Sequence, residues 1–102
     1  MKQYDIKTYI KFDQWFKKLD DKIQDIIADR LYRIQAGNIG DHKNVGDGVF
    51  ELRIFFGAGY RIYFAFMNDV IIILINGGTK NSQQKDINKA KEYLEEIKKY
   101  RN

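Results

Sequence analysis

The sequence predicts an α+β domain: an antiparallel β-sheet of about four strands, packed against an N-terminal helix hairpin and followed by a C-terminal helix. Three observations carry this. Apolar residues recur at three- and four-residue spacing between Phe12 and Ile34, and again between Ile87 and Ile97, which places them on one side of a helix. Between these segments lie three runs rich in β-branched and aromatic residues, Val49 to Phe56, Tyr60 to Met67 and Val70 to Ile75. Only Gly57-Ala58-Gly59 and Asn68-Asp69 separate them, as in an antiparallel meander. A chain of 102 residues supports one core, so a single domain over residues 1–102 is expected.

Taken in order, Lys2 to Tyr9 alternates, with Tyr4, Ile6 and Thr8 on one side and Asp5 and Lys7 on the other, as a half-buried strand does. Phe12, Trp15, Phe16 and Leu19 then form one helical stripe, and Ile23, Ile26, Ile27, Leu31 and Ile34 a second. The short join at Asp20-Asp21 makes the two helices an antiparallel hairpin. Gly37 follows the last periodic residue and can cap the second helix. Asn38 to Gly48, with three glycines, two asparagines and two aspartates, is expected to be a surface loop.

In the first hairpin strand Phe50, Leu52, Ile54 and Phe56 share one side, and Glu51 and Arg53 the other. In the second, Tyr60, Ile62, Phe64 and Phe66 oppose Arg61 and Tyr63. One face is therefore core, covered by the helix hairpin in a two-layer domain, and one is charged and open. The run Val70 to Ile75 is apolar on both sides, which suits an interior strand with the first strand beyond it. Gly77-Gly78 is expected to break it. Gln83 to Tyr100 forms the last helix, with Ile87, Ala90, Leu94 and Ile97 inward. The expected core is Trp15, Phe16, Ile27, Leu31, Phe50, Leu52, Ile62 and Phe64.

Composition narrows the function classes. With 44% hydrophobic, 15% aromatic and 31% charged residues, the chain is not disordered. The absence of cysteine excludes disulfides and thiolate metal sites. The N-terminus lacks the apolar stretch of a signal peptide, and the longest apolar run is too short to cross a bilayer; no membrane partner is expected, and the cytoplasm is the expected location. A net charge of +4 and a pI near 9.2 favour a polyanionic partner. Seven of the cations follow residue 79, against four acids.

On the expected open face, pairing through the Gly-Ala-Gly turn brings Arg53 and Arg61 together, with Tyr63 beside Arg61 and Lys80 leaving the next strand nearby. Guanidinium forks hold phosphate bidentately and stabilise the added charge of a pentacoordinate transition state, so this is a candidate phosphodiester site without metal. The same residues could instead be solvated cations paired with Glu51 and Asp47. Lys43 and Lys85, with the two arginines, are the candidate RNA contacts. His42, the sole histidine, is a further acid–base candidate. No phosphate-binding glycine motif of the P-loop or dinucleotide type is present, and no cofactor or metal is expected.

The order of the helix hairpin, Gly37-Asn38-Ile39-Gly40-Asp41, Val45-Gly46-Asp47-Gly48-Val49, Glu51-Leu52-Arg53, Gly57-Ala58-Gly59-Tyr60-Arg61-Ile62-Tyr63-Phe64, Gly77-Gly78-Thr79-Lys80 and Ser82-Gln83-Gln84-Lys85-Asp86-Ile87 resembles the addiction module killer subgroup of RelE/ParE toxins, close to HigB. The resemblance implies the toxin of a type II toxin–antitoxin pair, a ribosome-dependent mRNA endonuclease neutralised by an antitoxin, often a helix-turn-helix protein. The toxin would be a monomer or a toxin–antitoxin hetero-oligomer. Arg61 falls where such nucleases place a phosphate-binding arginine, and Arg53 and Lys80 near further basic active-site positions. Tyr63, Lys80 or His42 would then move protons. The chain departs from the RelE pattern in carrying Glu51 and Arg53 where lysines are expected. A C-terminal catalytic tyrosine has only Tyr93 and Tyr100 as candidates. The alternatives implied by the same superfamily are a ParE-like inhibitor of DNA gyrase and a degenerate toxin that only binds its antitoxin.

Overall fold

A computed structural model describes residues 3–100. The elements run β1 (Asp5–Thr8), α1 (Ile10–Phe16), α2 (Asp21–Gln35), β2 (His42–Gly46), β3 (Val49–Ile54), β4 (Tyr60–Phe66), β5 (Ile71–Thr79), a 3-10 turn (Lys80–Ser82) and α3 (Gln83–Lys99). The sheet order is β1-β5-β4-β3-β2. The expected meander is present as β3-β4-β5, and β1 lies beyond β5 as anticipated. It pairs there in parallel, so the five-stranded sheet is mixed. Lys2, the expected start of the first strand, lies outside the described residues.

Both helices form where their stripes predict, though α1 ends at Phe16 and leaves Leu19 in the connection to α2. Ile23, Ile27 and Ile34 are buried along α2, and they join Phe12, Leu52, Ile54, Ile62, Phe64, Ile72 and Leu74 in one core cluster. Of the expected core, Ile27, Leu52, Ile62 and Phe64 are fully buried, while Trp15, Phe16, Leu31 and Phe50 pack around them half-buried. Gly37 has the expected capping role. Its φ of 104° is open to glycine, and the N–H groups of Gly37 and Asn38 donate to the carbonyls of Ile34 and Arg33, at 2.9 Å each, closing the helix end.

Four expectations require correction. Residues 42–46 are not loop but an edge strand, antiparallel to β3. Residues 42–44 are exposed on both faces, so there is no alternation to read. The turn into β3 uses positive φ at Gly46, Asp47 and Gly48, with Asn44 Oδ1 accepting from Gly46 N at 2.8 Å. The β3 strand stops at Ile54, and Phe56 stands in the turn, partly exposed, instead of in the core. Gly77-Gly78 does not break β5, which continues to Thr79 opposite Tyr60.

The largest correction concerns the layers. The domain has three, because α3 packs on the sheet face opposite the hairpin. Ile87, Ala90, Leu94 and Ile97 bury against Val49, Tyr63, Ala65, Ile73 and Ile75. An amphipathic helix must cover its apolar stripe; with the hairpin on one face, the odd-numbered face of the meander is what remains. The charged face is therefore half covered.

Candidate functional site

Arg53 on β3 and Arg61 on β4 are direct cross-strand partners, and the adjacent pair on the same face is Glu51 with Tyr63. The shared face expected for Arg53, Arg61 and Tyr63 is thus present. Two guanidiniums placed opposite each other repel, and Glu51 offsets this from the neighbouring row. Its Oε1 is 3.5 Å from Arg53 Nε and its Oε2 is 3.9 Å from Arg61 Nε. Neither Nε makes a hydrogen bond, so these contacts are ion pairs.

Glu51 is fully buried. Oε2 also accepts from Gln83 Nε2 at 2.7 Å and from the Tyr63 hydroxyl at 3.3 Å. A buried carboxylate needs such partners. Here they come from three elements: β3, β4 and the first residue of α3. Arg61, whose side chain is only 12% exposed, is turned back toward the β3–β4 turn, its Nη1 donating to Gly59 O at 2.7 Å.

Tyr63 is on the expected face but not open to solvent, because α3 covers it. Burial first, then the Glu51 carboxylate, hold its phenol well above the ordinary value of 10.0. The proton stays on the hydroxyl, which serves as a donor to Glu51.

Beside this buried network is an open cleft of about 400 Å³, lined by residues 55–59 of the turn together with Arg61 and Lys80. Lys80 is exposed at the start of the 3-10 turn. The backbone around Gly59 passes close to both cations. A Cβ added there would lie 3.0 Å from Arg61 Nη1 and 3.5 Å from Lys80 Cβ, at a φ of 75°. The cleft lining contains cations, aromatic rings and small residues but no carboxylate or imidazole.

The other candidates fall elsewhere. Lys43, exposed on β2, faces Glu51 across the ladder and therefore shares the arginine face. Lys85 is exposed in the first turn of α3. Neither lines the cleft. His42 pairs with Leu52 on the opposite face, with its ring 6.2 Å and 6.1 Å from those of Phe50 and Phe64. Tyr93 packs on Tyr9 at 5.7 Å, and Tyr100 is exposed just past the end of α3. Asp47 pairs with Lys91 at 3.6 Å and not with the arginines. Among the described residues no three His, Asp or Glu side chains are grouped to hold a metal ion, and no helix is long and apolar enough to cross a membrane.

Sequence reasoning missed two contributors. Gln83 carries no pattern that marks it as the donor to a buried glutamate. Arg30, on the exposed-looking side of α2, donates to Arg53 O at 2.8 Å, to Ile39 O and to Asp41 O. It ties the segment before β2 to the end of β3. Burial, and then the charge of Arg33, lower its pKa.

Residues 14–99, which include every residue of this network and its cleft, match the family described as "Phage derived protein Gp49-like (DUF891)". The chain belongs to the Gp49-like family. This is a family resembling the toxins of type II toxin–antitoxin systems. An uncharacterized protein of Haemophilus influenzae is 47% identical to the Gp49-like chain over 93 residues, covering 90% of the chain and 94% of that relative.

Proposed function

We propose that this Gp49-like protein is the toxin of a type II pair and acts as an mRNA endonuclease of the RelE/HigB kind, cutting translated mRNA in the cytoplasm until an antitoxin, of helix-turn-helix type, neutralises it. The observation that carries this reading is the arginine pair braced on a buried carboxylate beside a cleft that also holds Lys80. Three cations against one glutamate leave an excess positive charge suited to a phosphodiester.

In this reaction the ribose 2′-oxygen attacks the adjacent phosphorus, the bond to the 5′-oxygen breaks, and the products are a cyclic phosphate and a 5′-hydroxyl. Arg61 would hold the non-bridging oxygens and stabilise the charge that builds on them. Glu51, itself held by Gln83 and Tyr63, fixes the direction of Arg61 and Arg53, so the donors need little reorganisation when charge develops. Lys80 is the one side chain lining the cleft that can both bear charge and exchange a proton. Tyr63, with its hydroxyl committed to Glu51, is a positioning residue in this scheme. Lys43 and Lys85 would extend contact to the RNA backbone.

A site with no carboxylate or imidazole base at hand depends on alignment of the 2′-oxygen, which a ribosome-held codon supplies; alignment alone gains several orders of magnitude. The test is to incubate the purified protein with a defined mRNA in a chelator that leaves the ribosomes intact, with and without translation. Codon-phased cuts confined to the translated sample are expected, and Arg61→Ala should reduce them about 100- to 1,000-fold. Efficient cutting of naked RNA, or inhibition of gyrase supercoiling without any RNA cutting, would overturn the proposal.

A further inference from the structure

The turn between β3 and β4 exposes two large aromatic residues side by side. Phe55 is 76% exposed and Phe56 38% exposed. The two are not equivalent. Lys22 Nζ lies 5.4 Å from the centre of the Phe56 ring, so that ring already has a cation on it. Phe55 has no ring or cation contact with any described residue. A single exposed phenylalanine needs no explanation, but this one lines the same cleft as Arg61 and Lys80.

The combination is a free ring next to two cations that can take a phosphate. Binding sites for single-stranded nucleic acid are built from these two parts, a cationic track for the backbone and aromatic faces for the bases. The cleft volume, about 400 Å³, falls within the roughly 300–1,000 Å³ usual for small-molecule sites. The glycines flanking the turn keep its centre free of side chains. Gly57 and Gly59 both have positive φ, and Ala58 between them is small.

We propose that this cleft takes one nucleotide of single-stranded RNA, with the phosphate on Arg61 and Lys80 and the unstacked base on the ring of Phe55. The proposal rests on the nuclease reading for its choice of RNA, and it adds the element that positions the base next to the scissile phosphate. Stacking accepts any base, so Phe55 governs affinity for an unpaired strand and contributes little to sequence choice.

The probe is a short single-stranded 2′-O-methyl RNA, which has no free 2′-hydroxyl and cannot be cut. Phe55→Trp places an emitter on the ring position, distinct from the native Trp15, which is packed against Gly77. The RNA should quench the new emission, while inorganic phosphate and an abasic strand of equal length should not. Phe55→Ala should weaken RNA binding roughly 5- to 100-fold, Phe55→Tyr should restore it, and both should melt like the parent because the side chain is outside the core.

RNA affinity unchanged in Phe55→Ala, or equal quenching by the abasic strand, would overturn the proposal; so would a parent protein that binds no RNA. A parent that cuts translated mRNA, with Phe55→Ala cutting it at the same kcat/KM, would retain the nuclease reading and discard the base platform. Phe55-dependent RNA binding by a protein that cuts nothing would retain the platform and discard the nuclease.

Discussion

Glu51→Ala tests whether the arginines depend on the buried carboxylate. Glu51 is 0% exposed and has four partners: Arg53, Arg61, Tyr63 and Gln83. Removing it leaves the Arg61 guanidinium, 12% exposed, without its counter-charge and the buried Tyr63 hydroxyl without its acceptor. Breaking a buried pair from one side costs about 3–5 kcal/mol, because the remaining charge is uncompensated. Arg53, 32% exposed, recovers water and contributes the smaller part. For a domain whose whole stability is about 5–15 kcal/mol, the loss would be plain in urea unfolding as a lower midpoint with an unchanged slope.

Glu51→Gln separates charge from shape. The amide oxygen can still accept from Tyr63 while both ion pairs are lost, so a smaller cost is expected, about 1.5–3 kcal/mol. If the protein cuts RNA as proposed and Arg61 depends on Glu51 for its direction, this folded variant should lose that cutting while still binding the antitoxin the proposal gives it. A Glu51→Ala protein within 1 kcal/mol of the parent, by the same roughly 1 kcal/mol yardstick that marks an ordinary hydrogen bond, would refute the view that Glu51 anchors the network.

The remaining predictions concern the layers around that network. Tyr63 holds its proton more tightly folded than the ordinary value of 10.0 allows. Below pH 10 both states are protonated; above it the unfolded chain loses the proton first, so stability falls as pH rises. Tyr63→Phe should flatten that alkaline decline in urea titrations, and an unchanged decline would count against it. Leu52→Ala, at a fully buried position between hairpin and sheet, should cost about 2–5 kcal/mol, read as a drop in Tm; parent-like melting would contradict the assigned core. Gly78→Ala would drive its methyl into the Asp86 carboxylate and to 3.0 Å from Ser82 Oγ. It should cost about 1–3 kcal/mol and, by shifting the start of α3, lower RNA cutting more than Leu52→Ala does at matched folded fraction.

Most of the fold was legible because its signals are periodic. Phe50, Leu52 and Ile54 against Glu51 and Arg53 fix which side of β3 is core, and the same alternation in β4 puts Arg61 opposite Arg53. The Gly37 cap follows from its place after Ile34. The strand at residues 42–46 was not legible, since an edge strand exposed on both sides carries no alternation; backbone pairing to β3 makes it a strand. The burial of Tyr63 was missed for a different reason. The stripe Ile87, Ala90, Leu94 and Ile97 marks an inward face in the sequence, but the pattern does not say which surface it covers. That surface is the row containing Tyr63, Ala65 and Ile73, so the supposed open face became a site half under a helix.

The glycine pair at 77–78 shows how both layers converge on the site. In β5, Gly77 lies opposite Ile62 and Gly78 opposite Arg61, so the two face different layers. The indole of Trp15 packs against Gly77, where a Cβ would collide with the ring. On the other side, the absence of a Cβ at Gly78 admits Asp86 and Ser82, which hydrogen-bond to each other. Asn76 Nδ2 adds a bond to Asp86 O at 3.2 Å. The pair therefore acts as a point of close approach for α1 and α3 instead of a strand break. Because α3 is held there by its first turn, Gln83 reaches Glu51, and the preceding 3-10 turn leaves Lys80 beside Gly59 and Arg61. The cleft cations are thus set by backbone proximity at two glycines, with the buried glutamate fixing the arginines from behind.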